Sequence, residues 1–349
     1  MRSAVTTPGP QGKGTATMKK TRARRGAPLI IGAVLAVVLS ACASGGRTDT
    51  GSDSSSSGGG AGDNSGYTVA MVTHETPGDT FWDKIKSGAQ QAAKNYGITL
   101  KYSNDPDPGK QATLIQNAID SKVDGIATTL ATPDALAGAV KDANKAKIPV
   151  VAFNSGIDQY KQVGASMYFG SDETLAGQSA GQRISDGGGK NTLCVIQASG
   201  SVALEARCAG VKDKFPNTKN IQVNGADDSA VVSSLQAKLS QDKSIDNIVT
   251  LGAPIALDAI KAKDAAGSKA KVITFDLNAD VAQDIKDGKV EFSIDQQPYV
   301  QGYQAVTALY LNLKNGNDIG GGGPVLTGPS FVDKSNIDVI LPFAQRGTR

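Results

Sequence analysis

The sequence predicts an α/β protein of two lobes, each a parallel sheet flanked by helices, with a ligand cleft between the lobes. Three observations predict it. Beyond residue 66, ten short apolar runs alternate with longer amphipathic stretches. Several of the runs are apolar throughout, as strands buried on both faces are. Ten strands are many for one sheet, so two sheets of about five suit the count. Repeated strand–helix units imply parallel sheets with right-handed crossovers. In such sheets ligands bind outside the carboxyl ends of the strands.

The runs are TVAMV (68–72), ITLKY (98–102), GIATTL (125–130), IPVVAF (148–153), SMYFG (166–170), TLCVIQ (192–197), NIQVN (220–224), NIVTL (247–251), KVITF (271–275) and VEFSI (290–294). Phe81, Trp82, Ile85, Ala89, Ala92 and Tyr96 follow helical spacing, and Gly97 stops that helix. Thr132 before Pro133 reads as an N-cap with proline in the first helical position. Stretches near 110–121, 172–185, 202–214, 229–240, 255–266, 279–287 and 299–314 keep the same rhythm.

The strand exits carry the candidate ligand-binding residues. His74, Asp79, Phe81 and Trp82 follow the first strand, Thr129 the third and Asn154 the fourth. Glu205 comes after the sixth, Asp228 after the seventh, Asp276 and Asn278 after the ninth, and Gln296 after the tenth. Carboxylates and amides pair with several hydroxyls at once, and an aromatic face covers the apolar side of a sugar ring. The set suits a polyhydroxylated neutral ligand. Each member also has a structural reading. Trp82 fits a core position, Asp and Asn after strands serve as helix caps, and His74 fits a structural hydrogen bond.

Upstream, Leu39-Ser40-Ala41-Cys42 matches a bacterial lipobox. A basic segment (Lys19, Lys20, Arg22, Arg24, Arg25) and an apolar stretch from Ala27 to Leu39 precede it. Met18 heads that pattern as an alternative start. The apolar stretch falls short of the roughly 20 residues that span a bilayer. Residues 1–41 therefore read as a signal peptide, Cys42 as the lipidated residue, and the Ser/Gly-rich 42–66 as a flexible tether. The expected location is extracytoplasmic, lipid-anchored to the cell membrane. Seven of the 36 Lys and Arg precede Cys42 and no Asp or Glu does, so the formal charge of +3 misleads. The chain from Cys42 onward carries 29 basic against 33 acidic residues and has no basic cluster for nucleic acid. With Cys42 lipidated, Cys194 and Cys208 are left as a pair in an oxidising compartment, where a disulfide is expected. No His or further Cys accompanies them, which argues against a metal site.

Two segments test an enzyme reading. Gly177-Gln178-Ser179-Ala180-Gly181 has the nucleophile-elbow pattern, yet the serine falls inside an expected helix and the single histidine, His74, precedes it. Glycine runs 187–189 and 320–323 do not sit between a strand and a helix in the dinucleotide-binding manner. No catalytic residue and no cofactor is expected.

These segments resemble the ribose-binding-protein-like periplasmic sugar-binding proteins, which feed sugar ABC importers. The likeness covers about residues 67–340. Its pieces are TVAMV with FWDKIKSGAQQAA (81–93), DALAGAVKDANKAKIPVVAFNS (134–155), FGSDETLAGQSAGQRI (169–184), VITFDLN (272–278) and DGKVEFSIDQQPYVQGYQAV (287–306). It implies a monomer whose two lobes hinge shut on a small sugar or polyol and present it to a membrane permease. By position Phe81 and Trp82 would stack on the ring, Asp79 would line the first lobe, Asp276 would grip hydroxyls, and Gln296 would be a hinge glutamine touching the ligand. The first lobe would hold 67–171 and 297–326, the second 172–296 and 327–343. Three departures stand out. The loop 73–80 is one residue longer than in ribose binders, Asn154-Ser155 replaces an Asp-Arg pair, and Glu205 stands where a second-lobe arginine is expected. They argue against ribose and fit another sugar or a sugar alcohol such as an inositol. The fold also serves signalling binders that present a ligand, for example a furanosyl quorum signal, to a membrane receptor.

Overall fold

The computed structural model describes residues 65–349. The signal peptide, Cys42 and the tether through residue 64 lie outside the described residues.

Four strand–helix units and a fifth strand come first: β1 (Thr68–Thr73), α1 (Phe81–Tyr96), β2 (Thr99–Asn104), α2 (Pro108–Asp120), β3 (Gly125–Thr129), α3 (Pro133–Lys145), β4 (Val150–Phe153), a short α4 (Tyr160–Val163) and β5 (Met167–Ser171). The pattern then repeats through α5 (Glu173–Asp186), β6 (Thr192–Ile196), α6 (Val202–Lys214), β7 (Thr218–Gln222), α7 (Asp228–Gln241), β8 (Asn247–Thr250), α8 (Ala253–Ala265), β9 (Lys271–Phe275), α9 (Ala279–Asp287) and β10 (Val290–Asp295). Then α10 (Pro298–Asn315) and β11 (Val325–Gly328) return to the first sheet, while β12 (Ser330–Val332) joins the second, followed by α11 (Ile337–Gln345). The orders are β11-β5-β4-β3-β1-β2 and β12-β10-β9-β8-β6-β7, so the two lobes share one topology. Every neighbour pair is parallel except β10 with β12.

Each sheet therefore has six strands rather than five. The extra strands, β11 and β12, are four and three residues long, partly exposed, and separated by Pro329. Neither has the apolar length that marks a strand in sequence. Strand β7 starts two residues before the run that predicts it, because this edge strand alternates in burial and its apolar pattern is weak. Helix α11 was hidden by Pro342 in its interior.

Both faces of each sheet are covered. Helices α1 and α10 pack on one face of the first sheet, with Ile85, Ala89, Phe153, Phe169, Ala305 and Leu309 in the core. Leu136, Val140 and Tyr160 of α3 and α4 fill the other. In the second lobe α5 and α6 cover one face and α7, α8, α9 and α11 the other. Two helix crossings depend on glycine. A Cβ on Gly88 would stand 2.0 Å from the Tyr299 carbonyl oxygen, and one on Gly177 2.1 Å from that of Arg207. The GQSAG segment is thus a close-packed face of α5. Ser179 donates to the Leu175 carbonyl within the helix (2.8 Å), so no nucleophile elbow exists. Gly97 adopts the left-handed conformation (φ 62°) and ends α1 as expected. Thr132 does precede Pro133 at the start of α3, but its hydroxyl makes no capping bond.

Cys194 in β6 and Cys208 in α6 form a disulfide, with Cα atoms 5.9 Å apart and a sequence separation of 14. Both are fully buried. A loop of this length stabilises by about 3 kcal/mol through the unfolded state. The double variant Cys194→Ala, Cys208→Ala should lose roughly that much in denaturant unfolding, and reductant should produce the same loss in the parent chain. Equal stability of parent and double variant would contradict the assignment.

Candidate ligand-binding site

The carboxyl ends of β4 and β9 occupy equivalent places in the two sheets. Asn154 follows one and Asp276 the other, and both adopt the left-handed conformation, at φ 66° and 65°. Asn and Asp tolerate it best among residues with a Cβ. Matching backbone bonds hold both turns: Asn154 N donates to Phe169 O and Asp276 N to Ile294 O, each at 2.9 Å. The chain thus places one short polar side chain from each lobe where the lobes face one another.

Gln296 joins them. Its Nε2 donates to both carboxylate oxygens of Asp276 (2.9 and 3.1 Å), and its Oε1 accepts from Asn154 Nδ2 at 3.2 Å. Gln301, on the first turn of α10, donates to Gln296 Oε1 at 2.9 Å and accepts from Asn154 at 3.3 Å. On its other side Asp276 lies 3.8 Å from the Arg207 guanidinium. Arg207 is itself fixed by two bonds to Glu173 (2.5 and 3.1 Å), one to Leu251 O (3.0 Å), and the Phe275 ring beneath it. Burial pushes the Asp276 carboxyl up to about 7, against the opposing pull of Arg207 and of the Gln296 amide.

A second cluster lines the first lobe. His74 Nδ1 lies 2.8 Å from Thr129 Oγ1. That oxygen also accepts from the His74 backbone N–H and from Gln111 Nε2. Its own proton therefore goes to Nδ1, which leaves the ring's proton on Nε2. Burial lowers the His74 pKa to about 4, so the imidazole is neutral. Trp82 stands edge-on to His74 (4.8 Å) and to Phe81 (5.2 Å). Trp82 is buried and belongs to the core cluster, whereas Phe81 is partly exposed. Asp79 accepts from the Phe81 backbone N–H at 3.0 Å, and burial raises its pKa.

The remaining three candidates are not tied into either cluster by a hydrogen bond. Asn278 caps α9 by accepting from Val281 N at 2.8 Å. Asp228 is exposed on α7, and its charge acts on Asp258 and Lys261 of α8. Glu205 is half-buried in the first turn of α6. Sequence reasoning missed Glu173, Gln301, Gln111 and Lys84, all buried polar residues inside helices. Their one signal was a polar residue on an otherwise apolar helix face.

The chain runs between the lobes three times, at residue 172, at 296–297 and at Pro329. The last two crossings are bonded together: Thr327 Oγ1 donates to Gln296 O (2.6 Å) and Gln297 Nε2 to Thr327 O (2.7 Å). Arg349 adds an ion pair to Asp295 and a 3.3 Å bond to Gln297. Away from the crossings, Val202 N of the second lobe donates to Ala131 O of the first at 3.1 Å. The lobes therefore touch beyond the crossings as well as at them.

Comparison with known proteins names the class. The periplasmic binding protein domain matches residues 69–318, and the chain belongs to that family. A solved carbohydrate transporter from Acidothermus cellulolyticus, in complex with myo-inositol, is 56% identical, with a TM-score of 0.80 over 81% of this chain and 99% of that one. The ribose import binding protein of Salmonella typhimurium is 29% identical over 71% of this chain and 85% of its own length. The xylitol-binding protein of Mycolicibacterium smegmatis is 24% identical over 87% of each. Members of the family are extracytoplasmic binding proteins and not enzymes.

The two buried titratable groups should tilt stability in opposite directions. The folded pKa of His74, about 4, lies below its ordinary 6.5. Between these values only the unfolded chain takes up the proton, so stability is lost as pH falls from about 6.5 toward 4. The loss is at most about 3 kcal/mol, less for the part of the ring that water reaches. The folded pKa of Asp276, about 7, lies above its ordinary 3.8. Here the folded chain keeps a proton that the unfolded one releases, so stability falls as pH rises from about 4 to 7. In denaturant titrations across pH, His74→Asn should remove the first slope and Asp276→Asn the second. A variant profile parallel to the parent's would contradict the corresponding assignment.

Proposed function

We propose that this chain is the binding component of an ABC importer whose cargo is a polyol, with myo-inositol as the leading candidate. The observation that carries the reading is the 56% identity, over 81% of this chain, to a carbohydrate transporter solved with myo-inositol. The chemistry of the strand exits supports it. A cyclitol offers a hydroxyl on every ring carbon and no net charge. Asp276 accepts from hydroxyls, the Asn154 and Gln296 amides both donate and accept, and His74 Nε2–H donates. Phe81 and Trp82 supply the apolar wall, Asp79 and Thr129 line the first lobe, and Glu205 faces the cargo in place of a cationic group. Asn278 and Asp228 act at the second-lobe rim.

Closure is a two-state event in which ligand contacts from both lobes favour the shut form. The permease reads that form. The lobes divide near residues 171 and 296, with Gln296 at the central crossing, and the third division falls after β11, which pairs with β5 of the first sheet, rather than near 326. Cys42 carries lipid that holds the monomer at the outer face of the membrane, and the Ser/Gly tether gives it reach. Among the described residues no helix is long and apolar enough to cross a membrane.

A thermal-shift screen of the purified chain against pentoses, hexoses, linear polyols and inositols tests the reading. A ligand that binds only the folded state raises the melting temperature once its concentration exceeds Kd. Myo-inositol or a close polyol should produce the largest shift. Absence of a shift across the panel would contradict the cargo assignment.

A further inference from the structure

Lys84 is out of place for a structural lysine. It is the fourth residue of α1, between exposed Asp83 and buried Ile85, and only 4% of its surface is accessible. Its ammonium turns back one helical turn and donates to the Thr80 carbonyl oxygen at 3.2 Å. That is the positive end of the helix dipole, where a cation is disfavoured. Among the described residues no carboxylate comes within ion-pair distance of Nζ. An ammonium has three donors, and one neutral acceptor leaves a buried charge poorly compensated.

The bond to Thr80 places the ammonium at the start of α1, which follows the carboxyl end of β1. Burial depresses its pKa, and the carboxylates that oppose this are, in order, Asp276, Asp79 and Asp295. Asp276 belongs to the other lobe, and Asp295 ends the strand that leads into the central crossing. The first lobe's buried cation and the second lobe's buried carboxylate thus both stand at the carboxyl ends of their sheets, and they form no ion pair with one another. A hydroxyl group accepts and donates at once. One placed between them takes a hydrogen bond from Lys84 and gives one to Asp276.

We propose that Lys84 is a cargo-binding residue that, with Asp276, brackets one ligand hydroxyl across the cleft and makes binding depend on lobe closure. The proposal rests on the polyol reading above. It selects neutral polyhydroxylated cargo that presents a hydroxyl between the two groups, and it discriminates against analogues in which that hydroxyl is replaced by hydrogen.

Calorimetric titration of myo-inositol and of the polyols that shift the parent chain tests it, with the melting temperature of each ligand-free variant measured in parallel. Lys84→Met keeps the apolar stem and removes the charge. It should bind roughly 10- to 100-fold more weakly, while its ligand-free melting temperature stays equal or rises, because a poorly compensated buried charge has gone. Lys84→Gln, which keeps a neutral donor, should lose less affinity. If the parent binds and Lys84→Met binds equally well, the Lys84 assignment fails while the cargo assignment stands. Weaker binding in step with a lower melting temperature in both variants makes Lys84 part of the scaffold and also overturns the proposal. A parent chain that binds no polyol overturns the cargo assignment and this inference with it.

Discussion

The buried carboxylate of Asp276 sets the terms for the rest of the molecule. Removing a carboxylate from water costs several kcal/mol unless partners replace the lost hydration. Here the replacement is a relay: Glu173 grips Arg207, Arg207 faces Asp276, Asp276 accepts from Gln296, and Gln296 reaches Asn154 in the other lobe. Each partner comes from a different element, so the relay exists only if the elements meet correctly. Glu173 opens α5 and Arg207 sits on α6, and the Gly177 crossing brings those two helices together. The Cys194–Cys208 disulfide fixes α6 to the sheet one residue from Arg207.

Under the proposed function, the relay also links binding to hinge motion. Gln296 lies at a crossing between the lobes, so the amide that orients Asp276 belongs to the segment that must flex. Its bonds to Thr327 and Gln301 tie it to the third crossing and to α10. A ligand that draws on Asn154 and Asp276 competes for the hydrogen bonds that Gln296 now makes with both, and closure and cargo capture become one equilibrium. The shared topology of the two lobes explains why one left-handed Asn and one left-handed Asp sit at equivalent strand exits.

Much of the architecture was legible in the sequence because it rests on apolar periodicity. All ten anticipated runs became strands; eight are largely buried and carry a strong apolar signal, and the exposed edge strands β2 and β7 carry the weakest. The unanticipated pieces, β11, β12 and α11, are short, partly exposed or interrupted by proline, and they owe their conformation to neighbours brought in by the tertiary fold. The site was legible in part for a similar reason. Asn154, Asp276 and Gln296 follow strands, where the sheet topology aims side chains into the cleft. Gln111, Glu173, Gln301 and Lys84 lie within helices, and a polar residue there looks like surface until the packing shows which face is buried. Trp82, read as a stacking residue through a family likeness and as core through its spacing, is buried in the core beside His74.

The central claim is that Asp276, oriented by Gln296 and Arg207, holds the cargo. Calorimetric titration of myo-inositol into the parent chain and into Asp276→Ala tests it most directly. Losing a buried charged acceptor for one or two ligand hydroxyls should weaken binding by roughly 100-fold, with cooperative unfolding retained. An Asp276→Ala chain that binds as tightly as its parent would contradict the account.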